Sequence, residues 1–436
     1  MKTSKRSVET TIKNILIVNV HSSQNAGDYA LLIQTIHYLK ETFGDIKISV
    51  MANWPNESAL EYACDKVIAA PWWLIGIWDK NKKPRFQVLS LVVSFLYLFL
   101  YRADIFSIWK KFLPESWRKV FDAYIKTDLV VAVSGNQLFS SGRLGWPLPV
   151  LGYPIFLGLC FNKQIIIFPQ SIGPLKTKVE RQIVKFLYDR VDKLFVRDLE
   201  SMRLVEKLKI KNSLPEFMHD VAFTLLPTSE SLARKRLINA GFIESKDNIG
   251  ITVISSMSSY LSSEIIQNYY QSLARTIERL VNQPNFEIFL FCQVFGPHKD
   301  ENDAIAIERV IKEIKEPVSN KIHIINEKIH PSELKACYGL MDAFIASRLH
   351  SGIFALGMNV PTLFIGYLYK TMGVLKAINL DEFQIDLKDV TENNIHQKFM
   401  NLWTEKSSIR KKIRDEISTI EKELGNLPSE IGKVIS

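Results

Sequence analysis

The stretch Ala343-Phe344-Ile345-Ala346-Ser347-Arg348-Leu349-His350-Ser351-Gly352-Ile353-Phe354-Ala355-Leu356-Gly357 reads as a strand, a polar corner and a helix. Ala343–Ala346 is short and wholly apolar, as a strand of a covered parallel sheet is. The helical reading runs from Ile353 to Met358. Arg348 and His350 stand at the strand exit, where the helix begins, with Ser351 and Gly352 just after them. A helix start offers unsatisfied backbone N–H groups and a partial positive charge. Arginine adds a planar fork that suits phosphate or carboxylate. Histidine adds a proton donor or acceptor near neutral pH. The corner reads as a seat for a small anion with an acid or base beside it.

Outward from that corner the rhythm repeats. Ile249–Ile254, Phe286–Cys292, Ile322–Ile325 and Thr362–Ile365 read as further strands, with helical patterns at Glu264–Val281 and Ala304–Ile314 between them. An earlier series shows the same alternation. Its strands are Ile15–Val20, Ile46–Met51, Leu129–Val133, Gln164–Phe168 and Leu194–Val196, and its helices include Tyr29–Thr42, Lys178–Tyr188 and Ser201–Leu208. The rhythm breaks near Leu226-Pro227, before a charged helix over Leu232–Ala240. Short strands alternating with helices argue for α/β architecture with two doubly wound, Rossmann-like domains facing a cleft. The expected division is 1–226, with an apolar insertion over about 70–120, then 227–400, then an amphipathic helix within 401–436.

A chain of 436 residues, 47 % hydrophobic and 23 % charged, suffices for two or three packed domains. The formal charge of +9 suits solubility, an anionic substrate or an anionic membrane surface. Nucleic acid is not expected, because no basic stripe is interleaved with aromatics and no reader motif is present. Cys64, Cys160, Cys292 and Cys337 are far apart, which fits small buried hydrophobes and neither a disulfide framework nor a zinc site. The polar N-terminus lacks the apolar core of a signal peptide, so a cytoplasmic location is expected.

One segment stands apart. Phe86–Tyr101 carries no charge over sixteen residues, short of the ~20 that a spanning helix needs. Lys80, Lys82, Lys83 and Arg85 precede it, Arg102, Lys110 and Lys111 follow, and Trp72, Trp73, Trp78, Trp109 and Trp117 flank it. That arrangement suits peripheral contact at a membrane interface; a buried helix or a dimer contact is the other reading.

In open parallel sheets, ligands bind beyond the carboxyl ends of the strands. The unusual polar residues fall on such loops. The first holds Asn25, Gly27 and Asp28, where Asp28 caps the next helix or faces the cleft, and Asn25 and the Gly27 amide contact an anion or hydroxyl. No dinucleotide fingerprint is present there. Ser134-Gly135-Asn136-Gln137 follows the third strand, and Gln170-Ser171 follows the fourth, placed to meet substrate hydroxyls. Arg197-Asp198 offers a second cation, or an internal ion pair, and a helix cap. His219-Asp220 lies near the junction, His298 lies in the loop Gln293–Asp303, and Lys370 adds a further positive charge.

The set Asn25-x-Gly27-Asp28, Gln170-Ser171-x-Gly173-Pro174, Val196-Arg197-Asp198-x-x-Ser201, Asp220, Ser347-Arg348-x-His350 and Tyr367-x-x-Lys370 resembles the polysaccharide pyruvyl transferase family over roughly residues 14 to 380. The insertion at 86–101 and Asn136, where many members have a glycine pair, depart from the family pattern.

The resemblance implies a GT-B-like fold and transfer of a pyruvyl group from phosphoenolpyruvate to a sugar, forming a ketal across two hydroxyls. It places anion-binding residues at Arg197, Arg348 and His350. The expected catalytic group is His350, Arg348 and Asp28. His350 serves as acid or phosphate stabiliser, and Asp28 or Asp220 as base. Expected substrate contacts are Arg197, Asn25, Gly27, Gln170, Ser171, Asp220, Ser351, Gly352 and Lys370. No cofactor or metal is required, phosphoenolpyruvate being a substrate, and the acceptor is a polysaccharide sugar or a lipid-linked oligosaccharide. The competing readings are a GT-B nucleotide-sugar glycosyltransferase and a non-catalytic scaffold in polysaccharide assembly.

Overall fold

A computed structural model describes residues 12–55, 61–71, 114–140, 147–255, 261–297, 301–315, 320–366 and 369–434. Among them lie two parallel sheets. The first comprises β1 (Asn14–Val20), β2 (Lys47–Ala52), β3 (Lys66–Ala69), β4 (Leu129–Ala132), β5 (Gly135–Leu138), β6 (Gln164–Ile172), β7 (Lys193–Val196) and β8 (Pro215–Phe217). Their order is β3-β2-β1-β4-β6-β7-β8, with β5 paired to the far end of β6. The second comprises β9 (Asp247–Thr252), β10 (Phe286–Phe291), β11 (Ile322–Ile325), β12 (Ala343–Ala346), β13 (Thr362–Gly366) and β14 (Gln384–Asp386), ordered β11-β10-β9-β12-β13-β14. Both orders reverse direction beside the first strand of the sheet, which is the Rossmann arrangement.

Alternation along β1 shows why helices cover both faces. Ile15 and Ile17 join a core that continues through the helix Ala26–Phe43, while Leu16 and Val18 join a separate core on the opposite face. The quoted stretch behaves as read at its strand, which pairs Ala343–Ala346 with Ile249–Thr252. Its helix spans Leu349–Gly357, four residues earlier than the apolar pattern suggested, and Arg348 occupies the cap position. Glycine and serine at 351–352 hid the first turn, because neither favours a helix interior. The strands β5, β8 and β14 carry too few apolar residues to have stood out, whereas β3 is apolar at Val67, Ile68 and Ala69 and is absent from the expected strands.

The expected tail helix is Lys406–Leu424, followed by a second short helix, Leu427–Gly432. Leu427 and Ile431 are buried, and Glu430 reaches Lys193 at 3.4 Å, so the tail returns from the second sheet to the first. Cys292 and Cys337 are buried, and Cys64 and Cys160 are half-buried. Trp117 is not an interfacial residue: it is buried in the helix Glu115–Lys126 and stacks on Phe121 at 5.9 Å. The segment Phe86–Tyr101, with Trp72, Trp73, Trp78 and Trp109, lies outside the described residues, as does His298. Among the described residues, no helix is long and apolar enough to cross a membrane.

Candidate functional site

The loops after β1 and β12 leave their sheets at the points where strand order reverses, and they meet. Asn25 caps the helix Ala26–Phe43, its Oδ1 accepting from the Gly27 amide at 3.0 Å and the Asp28 amide at 3.4 Å. Asn25, not Asp28, is therefore the cap. The Gly27 amide is consumed by that cap, so the glycine does not act as an anion donor through it. Its missing side chain matters instead. A Cβ at position 27 would stand 2.3 Å from His350 Nδ1, so the histidine of one half packs on the helix start of the other. Asp28 is one-third exposed, with Oδ2 3.8 Å from His21 Nδ1.

A short antiparallel bridge joins the halves beside this contact. The Ala26 amide donates to the Gln293 carbonyl at 3.1 Å, and the Phe295 amide donates to the Gln24 carbonyl at 2.9 Å.

Arg197 follows β7 and is 1 % exposed. Its Nε donates to Ser171 Oγ at 3.0 Å, and its guanidinium pairs with Asp220. The internal-pair reading of Arg197 thus holds at Nη1. Ser171 is buried and spends its hydroxyl on Arg197. Gln170 is buried too, and its Nε2 donates to the Val133 carbonyl at 3.1 Å. Asp198 caps the helix Leu199–Leu208, accepting from the Ser201 amide at 2.8 Å.

Asp220 begins a single helical turn at Val221–Thr224 and accepts from the Ala222 amide at 2.9 Å. Burial works to raise its carboxyl, but the Arg197 guanidinium, His350 and the Ala222 amide outweigh burial and hold it well below the carboxylate range. His350 Nε2 lies 3.7 Å from Asp220 Oδ2, too long for a hydrogen bond. His219 faces away, 3.1 Å from Glu423 and edge-on to Phe217 at 4.9 Å.

Arg348 is held on its own side of the contact. Its guanidinium donates to Ser255 Oγ at 3.0 Å and pairs with Asp303. Asp303 is buried and also accepts from the Gln293 and Val294 amides at 3.1 and 2.9 Å. Neither Ser255 nor Asp303 was singled out from the sequence. Asp303 follows a capping asparagine, Asn302, and reads there as ordinary first-turn acid. Ser351 and Gly352 serve packing. The Ser351 hydroxyl is buried between Thr252 Oγ1 at 2.7 Å and the Arg348 carbonyl at 2.7 Å. A Cβ at Gly352 would stand 2.0 Å from the Phe364 ring.

Lys370 ties the pieces together. It lies half-buried in the first turn of the helix Tyr369–Ala377. Burial, then the positive charge of Arg197, pushes its ammonium down to about 8; Arg348 acts the same way, while Asp28 and Asp198 oppose them. Arg197, Arg348, Asp28 and Asp198 thus all act on one lysine. One turn along that helix, a Cβ at Gly373 would stand 2.9 Å from Asp198 Oδ1, so the helix packs directly on Leu199–Leu208. The arrangement gathers fixed cations, a histidine and a carboxylate where two sheets abut, which is the chemistry of a small, multiply charged anion. Among the described residues, no group of three or more His, Cys, Asp or Glu is arranged to hold a metal ion.

The family model for polysaccharide pyruvyl transferase matches residues 25–369. The amylovoran biosynthesis protein AmsJ of Erwinia amylovora is 21 % identical over 417 residues, covering 94 % of this chain and 97 % of that protein. Among solved structures, Anabaena HepE in complex with UDP and glucose superposes with a TM-score of 0.59 at 11 % identity, covering 97 % of this chain and 99 % of that one. Sucrose-phosphate synthase of Thermosynechococcus elongatus superposes at 0.57 with 12 % identity, covering 97 % and 98 %. These likenesses concern the fold, which is that of two Rossmann-like units.

Proposed function

The chain belongs to the polysaccharide pyruvyl transferase family, and from that premise we propose that it moves a pyruvyl group from phosphoenolpyruvate to a sugar of a cell-surface polysaccharide or its lipid-linked precursor. The product is a ketal bridging two hydroxyls. The observation that carries this reading is that His350, two residues past the Arg348 cap, packs on Gly27 of the other half and stands 3.7 Å from the carboxylate that pairs with Arg197.

Phosphoenolpyruvate carries a phosphate and a carboxylate on one small frame, so it needs several fixed cations. Arg197 and Arg348 are each braced by a buried carboxylate, which orients the guanidinium before the donor arrives. Transfer begins with a proton delivered to the methylene carbon, which becomes the methyl group. His350 is the donor in this reading; its Nε2 is buried without a hydrogen-bond partner among the described residues, 3.7 Å from Asp220 Oδ2. The neighbouring carbon is then attacked by one sugar hydroxyl, whose proton passes to a base. Phosphate leaves with its bonding electron pair, and the second hydroxyl closes the ring and loses its proton. Asp220 is a poor base, because Arg197 holds it ionised so firmly. Asp28, one-third exposed, is the better candidate.

The test replaces Arg348 with alanine and follows phosphate release from phosphoenolpyruvate, with fragmentation and NMR of the glycan product. A loss of about a hundredfold or more is expected; activity within a few-fold of the parent removes Arg348 from the mechanism. HepE, crystallised with UDP-glucose, shares the fold and keeps nucleotide-sugar transfer as the second reading. Thermal stabilisation by a UDP-sugar and none by phosphoenolpyruvate would favour it.

A further inference from the structure

The helix Lys178–Tyr188 turns Val184, Leu187 and Tyr188 inward, yet its opposite edge is also apolar. Val179, Ile183 and Phe186, spaced four and three residues apart, line that edge, with Val179 68 % and Phe186 43 % exposed. Arg190 lies over the Phe186 ring at 3.9 Å, and its guanidinium donates to the Phe186 carbonyl at 2.9 Å. The turn carrying Lys209 and Lys211 abuts the same helix end, where the Lys211 amide donates to Asp189 Oδ1 at 2.7 Å.

The exposed charge around this edge is mostly positive. Lys176 to Leu214 holds eleven lysines and arginines against six acids. Arg197 is buried against Asp220 and Lys193 pairs with Glu216 and Glu430, while Lys176, Lys178, Arg190, Lys207, Lys209 and Lys211 are exposed. The acids on the helix are spent internally. Glu180 is buried in a capping box with Thr177, and Asp189 pairs with Lys185 at 3.0 Å.

We propose that the ridge Val179–Ile183–Phe186, with Arg190, Lys209 and Lys211 at its end, docks on an anionic lipid bilayer. Three apolar side chains on a convex helix edge are too few for a stable protein interface, which buries roughly 800 Å² per partner. They suit insertion at the boundary between headgroups and acyl chains, where surrounding lysines and arginines meet anionic headgroups. The helix follows β6 in the chain after a five-residue connection, 173–177. This inference does not depend on the donor chemistry. Bilayer contact would bring the site near acceptors carried on lipid.

The test sediments the full chain with phosphatidylcholine vesicles, with and without phosphatidylglycerol, in the absence of phosphoenolpyruvate. The parent should bind the anionic vesicles, weakly or not at all the neutral ones, and lose binding as salt rises. Ile183→Glu with Phe186→Glu should weaken anionic binding by about tenfold or more. Arg190→Glu with Lys211→Glu, which keeps the apolar edge, should do the same. Both pairs are exposed, and equal thermal stability of parent and variants checks folding. Unchanged binding in both variants assigns lipid contact to another part of the chain and overturns the proposal. Equal binding to neutral vesicles overturns it as well, as does a lipid-free dimer that the Ile183 and Phe186 substitutions dissociate.

Discussion

His350 and Gly27 pack together across the boundary between the two halves, with no room for a side chain at residue 27: a Cβ there would come within 2.3 Å of His350 Nδ1 and 2.6 Å of Cγ. Both residues are in first turns of helices that leave their sheets at a switch point. The helix start is thus shaped to receive the ring, and the ring's place depends on that shape.

Gly27→Ala follows directly. Alanine in a helix is ordinarily preferred over glycine by about 1 kcal/mol. Here the methyl group must displace the His350 ring. Activity should fall by about tenfold or more, while the midpoint of thermal unfolding moves by only a few degrees. Steady-state kinetics beside a melting curve separates the two effects, and undiminished turnover would dissociate His350 from the chemistry.

Asp220 and Arg197 form a pair with 0 % and 1 % side-chain exposure. Asp220→Asn leaves the guanidinium buried without its countercharge and should cost about 3–5 kcal/mol. The pH dependence has a definite sign. The Asp220 carboxyl is lowered from its ordinary 3.8, so its contribution is complete above that value and disappears as pH falls through the native one. Urea unfolding of parent and variant should therefore converge in strong acid and diverge toward neutrality. A constant difference at every pH would contradict the assignment.

The sheets were legible because their strands are short apolar runs. Ala343–Ala346 and Ile322–Ile325 have the same limits in sequence and structure. The polar edge strands β5 and β8 were not, since pairing with β6 and β7, and no pattern of their own, makes them strands. Arg197, Arg348 and His350 stood out as unusual side chains at strand exits. Asp303 did not, because its partner lies 45 residues away in sequence. Ser351 and Gly352 could not be told from ligand contacts, since their buried partners Thr252 and Phe364 come from other strands.

Lys370 gives a pH signature above neutrality. Its ammonium is pushed down to about 8 by burial and by Arg197 and Arg348. Below that value it is charged and attracts an anion; above it the charge fades. Affinity for phosphoenolpyruvate should weaken as pH rises through about 8, and Lys370→Arg, which stays charged, should flatten the profile. For folding the same shift is a cost, relieved as pH rises from about 8 toward the ordinary 10.5. Binding titrations across that interval decide the matter, and an equally steep profile in the arginine variant would exclude Lys370 as its source.

Asp303 performs two tasks with one carboxylate. One oxygen holds the Arg348 guanidinium; the other accepts the Gln293 and Val294 amides of the loop that bridges to Asn25. Asp303→Asn keeps the shape and removes the charge, so Arg348 loses its fixed orientation. The KM for phosphoenolpyruvate should rise by about tenfold or more. If Asp303 acts through Arg348, adding Arg348→Lys to Asp303→Asn should cost much less than the sum of the separate losses. Additive losses would instead mean that Asp303 matters through the bridge between the halves. Arg348→Lys alone would then leave that bridge, and the thermal stability it supports, unchanged.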